Sequence, residues 1–192
     1  MYMEKPVSRK DFWDSAGKAG LVLGLVSIAF MLVNWLLTKA AETTGRTFLF
    51  TLLGLPVWVA KFVGCIALMK FFMKKFSASH PAVDNSGTFR FGMAVAALSA
   101  LVFSAFQLAY TTWIAPDTFA EAQEAAIAAY GSMLPAESIE MMENMNFGVV
   151  TFFTNLIYCF LFGTVLSAIF SRNIPSRNPF ENQDRFNTPD EQ

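Results

Sequence analysis

The sequence predicts an all-α membrane protein whose four transmembrane helices form a compact bundle. Hydrophobic residues make up 54% of the 192 residues, and the mean hydropathy is +0.42. Four apolar stretches each reach the roughly 20 residues that an α-helix needs to cross a bilayer. These stretches are residues 19–37, 48–72, 91–114 and 147–170. So little polar sequence remains that a separate soluble domain is not expected.

Lys and Arg are distributed unevenly among the polar segments, and this distribution predicts the topology. Eleven of the 14 lie before the first span, between the second and third, or after the fourth. The first connection has only Lys39 and Arg46, segment 115–146 has none, and Lys61 lies inside the second span. Because Lys and Arg accumulate on the cytoplasmic side, both termini are expected in the cytoplasm.

The first apolar run has a second interpretation, a cleaved signal peptide ending near Ala40-Ala41. At about 19 residues it is longer than the ~7–15 residues of a typical signal-peptide core. We therefore expect an uncleaved helix, preceded by an amphipathic lead-in over residues 1–18 that places Trp13 at the headgroup level.

Small side chains recur every four residues in the first and third spans. Such faces let two helix backbones approach closely in a membrane, where lipid tails give no hydrophobic drive for association. The residues expected to pack helices are Gly20, Gly24, Gly92, Ala96, Ala100 and Ser104. The second and fourth spans offer Ala60, Gly64, Gly163 and Ser167 as partner surfaces. In the second span Pro56 removes a backbone donor, which frees the Leu52 carbonyl and is expected to kink the helix.

The segment 115–146 is acidic and carries no Lys or Arg, so it is expected outside the cytoplasm. Thr118-x-x-Glu121 is typical of a capping box, which predicts a helix ending near Tyr130, and Pro135 is expected to open a second helix. We expect the two to form a helical hairpin whose candidate partner surface is Glu121, Glu124, Glu137, Glu140 and Glu143. A solvated acidic face and a metal site that adds Met133, Met141, Met142 and Met145 are the alternatives. The polar tail 173–192 is expected to be disordered.

Lys61 is the residue most suggestive of function, because a Lys inside a membrane is costly. At 1.5 Å per residue it lies about 20 Å from the outer boundary and about 10 Å from the inner one. No Asp or Glu occurs in any span. Ser99, Ser104, Tyr158 and Cys159 are expected at its depth, and Trp58 is the expected cation–π partner. Snorkelling of the side chain to the cytoplasmic headgroups is the alternative to a solute or ion pathway.

Gln107 and Asn155 lie at nearly the same depth when residues are counted from the outer boundary. They are expected to form an interhelical hydrogen bond worth about 0.6 kcal/mol, or else to border a polar cavity. Lys61, Gln107, Asn155, Tyr158 and Ser104 together are the candidate intramembrane polar site.

The sequence gives little support for an enzyme. His80 is the only histidine, so neither a histidine metal cluster nor a His-based triad can be assembled. A Ser–Lys pair of Lys61 with Ser99 or Ser104 lacks a supporting motif. No phosphate-binding loop and no C-x-x-C motif occurs. We expect no enzyme activity, no cofactor, no metal ion and no nucleic-acid partner, since the basic residues lie at membrane edges.

Several stretches are similar to an uncharacterised bacterial membrane family, domain of unknown function 4199. They are Phe12-Trp13, Phe89-x-Phe91-Gly92, Pro116-Asp117 and the run Pro135-Ala136-Glu137-Ser138-Ile139-Glu140-Met141-Met142-Glu143. The resemblance covers about residues 12–172, while the polar tail departs from the family pattern. It implies a four-span protein of a bacterial inner membrane, and it assigns no catalytic residues.

Two functions remain open from the sequence. The first is a non-enzymatic structural or interaction protein that forms a homo-oligomer or a complex with another membrane protein through its small-residue faces. The second is a small transporter or channel with a polar site around Lys61. A cavity that reaches Lys61 would favour the second, and a packed core with Lys61 turned to the headgroups would favour the first.

Overall fold

Helices make up all the regular structure in the described part of the chain. The computed structural model describes residues 8–45, 47–80, 83–130, 133 and 135–174. The elements are α1 (Arg9–Thr44), α2 (Thr47–Ser79), α3 (Asn85–Ala109) continued by a π-helical turn (Tyr110–Ile114), α4 (Pro116–Tyr130), α5 (Ala136–Asn144) and α6 (Phe147–Asn173). Four of these helices, α1, α2, α3 with its π-helical turn, and α6, are long and apolar enough to cross a membrane, which confirms the predicted fold class. The disordered tail predicted for 173–192 lies outside the described residues beyond 174.

The outward faces of the four spans are apolar. Leu52 is 55% exposed, Phe153 55% and Leu161 57%, and many neighbouring large side chains are exposed to a similar degree. Soluble monomers rarely expose apolar patches of this extent. The bundle surface is therefore suited to contact with lipid tails rather than with water.

The helices begin and end beyond the apolar spans they contain. α1 already starts at Arg9, and it ends at Gly45, whose φ of 66° is the left-handed conformation and whose N–H donates to the Ala41 carbonyl at 3.0 Å. α2 follows at Thr47, so only two residues separate the first two of these helices. Hydropathy marks the membrane boundary, whereas capping residues decide where a helix stops.

Side-chain caps explain two further helix starts. The Asp84 carboxylate accepts the Gly87 N–H at 2.7 Å and opens α3, and the Asn146 side chain accepts the Val149 N–H at 3.2 Å and opens α6. The break before Asn146 separates α5 from α6. α4 begins at Pro116 rather than after Thr118, because a first-turn proline needs no hydrogen-bonded N–H. α2 continues as a helix through Pro56.

α3 is the central helix of the bundle, packed against α6 on one side and α1 on the other. α1 approaches through its two predicted glycines. A Cβ added to Gly20 would lie 2.7 Å from Leu98 Cβ, and one added to Gly24 would lie 2.8 Å from Val102 Cγ1. Both contacts are too short for any side chain, so glycine is required for this approach.

The interface between α3 and α6 is built from small residues in an antiparallel register. Ala96 lies opposite Gly163, where an added Cβ would come within 2.5 Å of Ala96 Cβ. One turn along, Gly92 lies against Ser167, whose hydroxyl donates to the Phe89 carbonyl at 2.8 Å. The small residues Ala96, Ala100 and Ser104 are 2%, 1% and 0% exposed. The face predicted for helix packing is therefore enclosed within a single chain.

One end of the bundle is closed by aromatic packing. We call it the basic end, because it carries Lys18, Lys70, Lys74, Lys75, Arg90 and Arg172. The rings of Phe76 and Phe91 stack at 3.9 Å between centroids, and Phe12 lies edge-on to both. Met73 and Val95, each 0% exposed, complete this buried core.

Substitution of Gly163 by Ala should destabilise the bundle. The added methyl would collide with Ala96, and the α3 and α6 backbones would have to move apart to make room for it. We therefore expect a loss of about 1–3 kcal/mol in the free energy of unfolding. The measurement is denaturant unfolding in mild detergent.

Gly17→Ala is the matched control, because nothing lies within 4 Å of an added Cβ at that position. It should be neutral or stabilising by up to about 1 kcal/mol, as alanine is the better helix former. Equal stability of the two variants would contradict the close packing of α3 on α6.

Candidate functional site

A cavity of about 120 Å³ lies between the four spans, and every span contributes to its wall. Most of the wall is apolar, from residues such as Leu23, Met69, Ala100, Phe103 and Leu166. The polar and thiol groups in the wall are few: Ser27, Lys61, Cys65, Ser99, Tyr158 and Cys159. An apolar cavity with a few convergent polar groups is typical of a small-molecule site.

The cavity exists because α2 stands further from its neighbours than the other spans do. An added Cβ at Gly54 or Gly64 would lie 3.8 or 4.0 Å from the nearest side chain, in contrast to the collisions along α3. Ala60, expected as a partner surface, is exposed. α2 also contacts α3 and α6 sparsely. The tight seams of α3 therefore leave an unfilled space on the side that faces α2.

Lys61 lies in this wall, half-buried, with its ammonium over an aromatic ring. Its Nζ is 5.2 Å from the centroid of the Phe103 ring, which is within cation–π range. The expected partner was Trp58, but Trp58 is 58% exposed and its ring packs on Phe62 at 4.5 Å. Trp58 lies on the outer face of α2, whereas Phe103 projects from the central helix. In this conformation the Lys61 side chain borders the interior cavity.

The ammonium of Lys61 has no anionic partner in the bundle. No span contains a carboxylate, and Lys61 makes no hydrogen bond or ion pair with the described residues. A ring face does not replace the hydrogen bonds that three N–H groups make in water. The site thus presents an incompletely paired cation at the edge of an apolar space.

Three of the four side chains expected near Lys61 line the same cavity. Ser99 donates to the Ala96 carbonyl at 3.1 Å, so its proton is held by its own helix rather than offered to Lys61. Tyr158 is 60% exposed at the side of the cavity that faces lipid, and Cys159 lies one residue further along α6. This arrangement offers an ammonium, hydroxyl oxygens and thiols to a ligand.

Ser104 is placed elsewhere, inside the α3–α6 interface. It is 0% exposed, and its Oγ has no hydrogen-bond partner among the described residues. The register that pairs Ala96 with Gly163 continues to place Ser104 opposite Asn155.

The expected hydrogen bond between Gln107 and Asn155 is not present among the described residues. In the observed register Gln107 lies opposite Phe152, almost one turn away from Asn155. Counting from the apolar boundary of each span misses this offset, because the close contacts at Gly92 and Gly163 set the relative height of the two helices.

Two wall residues that sequence reasoning did not connect with Lys61 are Ser27 and Cys65. The Ser27 hydroxyl donates to the Leu23 carbonyl at 3.0 Å and lies 3.7 Å from the Cys65 sulfur. Cys65 is one helical turn after Lys61, so the four-residue spacing could have indicated a shared face. Phe103 follows Ser99 on α3 at the same spacing. That this face of α3 meets the Lys61–Cys65 face of α2 depends on the fold and could not be predicted from the spacing.

The acidic segment forms α4 and α5, which contact each other. Glu121, Glu124, Glu137 and Glu140 are exposed, and the side chain of Glu143 lies outside the described part. The side chains of Phe119, Ala122, Ala126, Tyr130 and Met142 also lie outside the described part. Within the described residues, no group of three His, Cys, Asp or Glu side chains could hold a metal ion. A partner for this surface stays a prediction.

Comparison with known protein families assigns the chain to one of them. The family described as protein of unknown function, DUF4199, matches residues 18–172. The chain belongs to the DUF4199 family. This match confirms the predicted resemblance and takes in all four spans with α4 and α5 between them. No curated protein and no solved structure matches the chain. For this DUF4199 protein, function must therefore be inferred from its own geometry.

Substitution of Lys61 by Met should stabilise the ligand-free protein. It removes an incompletely paired cation from the bundle and leaves no orphaned anion behind, so we expect a gain of about 1–2 kcal/mol in the free energy of unfolding. Unfolding of delipidated protein in detergent measures this change.

Lys70→Met is the control, since Lys70 is an exposed lysine on the same helix at the basic end. It should change stability by less than about 0.5 kcal/mol. A clear loss of stability in Lys61→Met would instead show that Lys61 holds the fold together.

Proposed function

We propose that this DUF4199 protein is a non-enzymatic binding protein embedded in the membrane, whose site takes a small amphipathic organic anion at Lys61. The observation that carries the proposal is the Lys61 ammonium, which borders an apolar cavity and has no carboxylate partner in the spans. A membrane lysine placed toward a bundle interior rather than a lipid face is by default a functional residue.

The charge of Lys61 supports an anionic ligand. Contact with the Phe103 ring is worth about 0.5–2 kcal/mol, less than the roughly 2.5–3.5 kcal/mol that a lysine costs at the bilayer centre. A bound carboxylate would supply the missing charge-assisted hydrogen bond. The Ser27 and Ser99 hydroxyls in the same wall donate to carbonyls of their own helices, so the charge-assisted hydrogen bond to the ligand falls to Lys61.

The volume of the cavity limits the apolar part of the ligand. An engineered protein cavity of about 150 Å³ lined by aliphatic and aromatic side chains binds benzene. The cavity at Lys61 has about 120 Å³ and a similar lining. This supports a ligand with one ring or a short alkyl chain and a single carboxylate.

The sparse contact between α2 and α6 supports entry from the lipid side. Tyr158 is 60% exposed and Phe162 36% exposed on this side of the cavity, so small movements of two rings would open it. Entry along the bundle axis from the basic end is blocked by the packed rings of Phe76 and Phe91. This arrangement favours a binding site over an open channel.

Transport is the second candidate, and Pro56 supports it. Pro56 lies inside α2, five residues before Lys61, and leaves the Leu52 carbonyl without its helical donor. A helix weakened at this point and loosely held by α3 and α6 could change its position around a bound ligand.

The small-residue faces give little support to the alternative function, a structural protein that assembles with other chains through these faces. Ala100 and Ser104 are 1% and 0% exposed inside one chain, so a second copy cannot use them without opening the bundle. A homo-oligomer or a complex with another membrane protein would need a different surface, such as the acidic helices α4 and α5. We propose that the protein lies in a bacterial inner membrane, as the family resemblance implies, with both termini cytoplasmic, as the Lys and Arg distribution supports.

Thermal unfolding in detergent tests the binding function. Benzoate and hexanoate should raise the unfolding temperature, whereas benzyl alcohol and hexanol, which match them in shape and lack charge, should not. At a ligand concentration 100-fold above Kd the stabilisation is about 2.7 kcal/mol. Lys61→Met should abolish the effect, and Lys70→Met should retain it.

Equal shifts with the acids and the alcohols would contradict a role for the Lys61 charge. Equal shifts in the wild type and Lys61→Met would place any binding elsewhere. Uptake of radiolabelled benzoate into proteoliposomes then separates transport from binding, because only transport gives accumulation that Lys61→Met abolishes.

A further inference from the structure

A second pocket, of about 190 Å³, lies at the basic end between the start of α1 and the end of α2. Its floor is aromatic, formed by Phe72, Phe76 and Phe91. Its rim carries two lysines, Lys18 from α1 and Lys75 from α2, together with Ser15, Ser79 and His80. We call it the basic-end pocket. It shares no residue with the Lys61 cavity, so a ligand bound here is independent of the proposed function at Lys61.

We propose that the basic-end pocket binds the phosphate headgroup of an anionic phospholipid. Lys18 and Lys75 face one space from two different helices, which supplies two ammonium groups to one phosphodiester. Basic pockets between transmembrane helices are suited to anionic lipid headgroups. Ser15, Ser79 and His80 lie at the same rim, where the Ser79 hydroxyl donates to the Lys75 carbonyl and His80 Nδ1 lies 3.1 Å from the Phe76 carbonyl oxygen.

The aromatic floor favours a lipid over a soluble anion. Phe72, Phe76 and Phe91 belong to the apolar spans, so the pocket sits where hydrocarbon gives way to headgroups. A phospholipid would place its phosphate between the lysines and its glycerol and first methylene groups against these rings. Free phosphate would gain nothing from an aromatic floor.

Among the described residues, Asp14 is the acidic side chain that forms an ion pair with a pocket lysine and so competes for the site. It accepts a hydrogen bond from Lys18 Nζ at 2.7 Å, and the two side chains are 60% and 75% exposed. Exposed ion pairs spaced four residues apart on a helix contribute little stability. Lys18 can therefore exchange this carboxylate for a lipid phosphate, and loss of Asp14 should strengthen lipid binding.

The chain provides a matched control for the two pocket lysines. Lys70 and Lys74 are exposed on the same end of α2, and neither lines the pocket. The pair K70Q/K74Q removes the same charge from the same region as K18Q/K75Q. A difference between the two double variants therefore reports the pocket rather than the overall charge of the basic end.

The experiment is titration of the purified full-length protein in neutral detergent with dioleoylphosphatidylglycerol, read by native mass spectrometry and by thermal unfolding. We expect the K18Q/K75Q variant to bind this lipid at least roughly tenfold more weakly, and K70Q/K74Q to bind within about threefold of wild type. D14N should bind it more tightly than wild type. Dioleoylphosphatidylcholine, which carries no net charge, should bind weakly to every variant.

Three results would overturn the proposal. Equal losses in the two lysine pairs would mean that only general surface charge attracts the lipid. Equal binding of both lipids by the wild type would mean that the pocket does not select lipids by headgroup charge. If inorganic phosphate alone is added at the concentration at which the lipid raises the unfolding temperature, an equal rise for the wild type would identify a soluble anion as the ligand. D14N serves as the folded reference, since it is expected to gain affinity rather than lose it.

Discussion

The structure of this DUF4199 protein depends on the close approach of α3 to its two neighbours. In a membrane the lipid tails are as apolar as leucine, so helices associate through van der Waals contact between faces that let backbones come near. Gly20 and Gly24 allow α1 to pack on α3, and Gly163 allows α6 to pack on the opposite side of α3. At each of these glycines there is no room for an added methyl group. These contacts fix the relative height of the helices, and thereby decide which polar side chains meet.

The same contacts explain why a cavity survives inside so apolar a bundle. α3 has two tight seams, while α2 packs chiefly on α1 and lies loosely against α3 and α6. Lys61 is on that loosely held helix, and the space beside it is lined by both small residues of the seams and larger aromatic side chains. A charge that would be unfavourable in a filled core is thus placed beside a space of ligand size. At the basic end the packed rings of Phe76 and Phe91 close the bundle, so the two pockets remain separate.

The sequence was sufficient to predict the four spans and the small-residue face of α3, because each depends on local composition and spacing. It was not sufficient for relations between helices. The Gln107–Asn155 pair failed because depth along each span was counted from its own boundary, while the contact at Gly163 shifts α6 by almost a turn relative to that count. Phe103 was missed as the partner of Lys61 for a different reason: rotation of α2 about its axis decides which ring lies beneath the ammonium, and this rotation depends on packing between helices. Caps at Asp84 and Asn146 were readable in principle, as both are preferred N-cap residues.

The central claim is that the Lys61 cavity is a ligand site rather than a packing defect. The most direct test is an experimental structure of the protein extracted into lipid nanodiscs without delipidation, at a resolution that shows individual side chains. We predict density in the cavity with an anionic group about 2.7–3.1 Å from Lys61 Nζ and an apolar body against the Phe103 side of the wall. A collapsed cavity, with α2 packed onto α6 and the Lys61 ammonium extended to the headgroups, would contradict the claim.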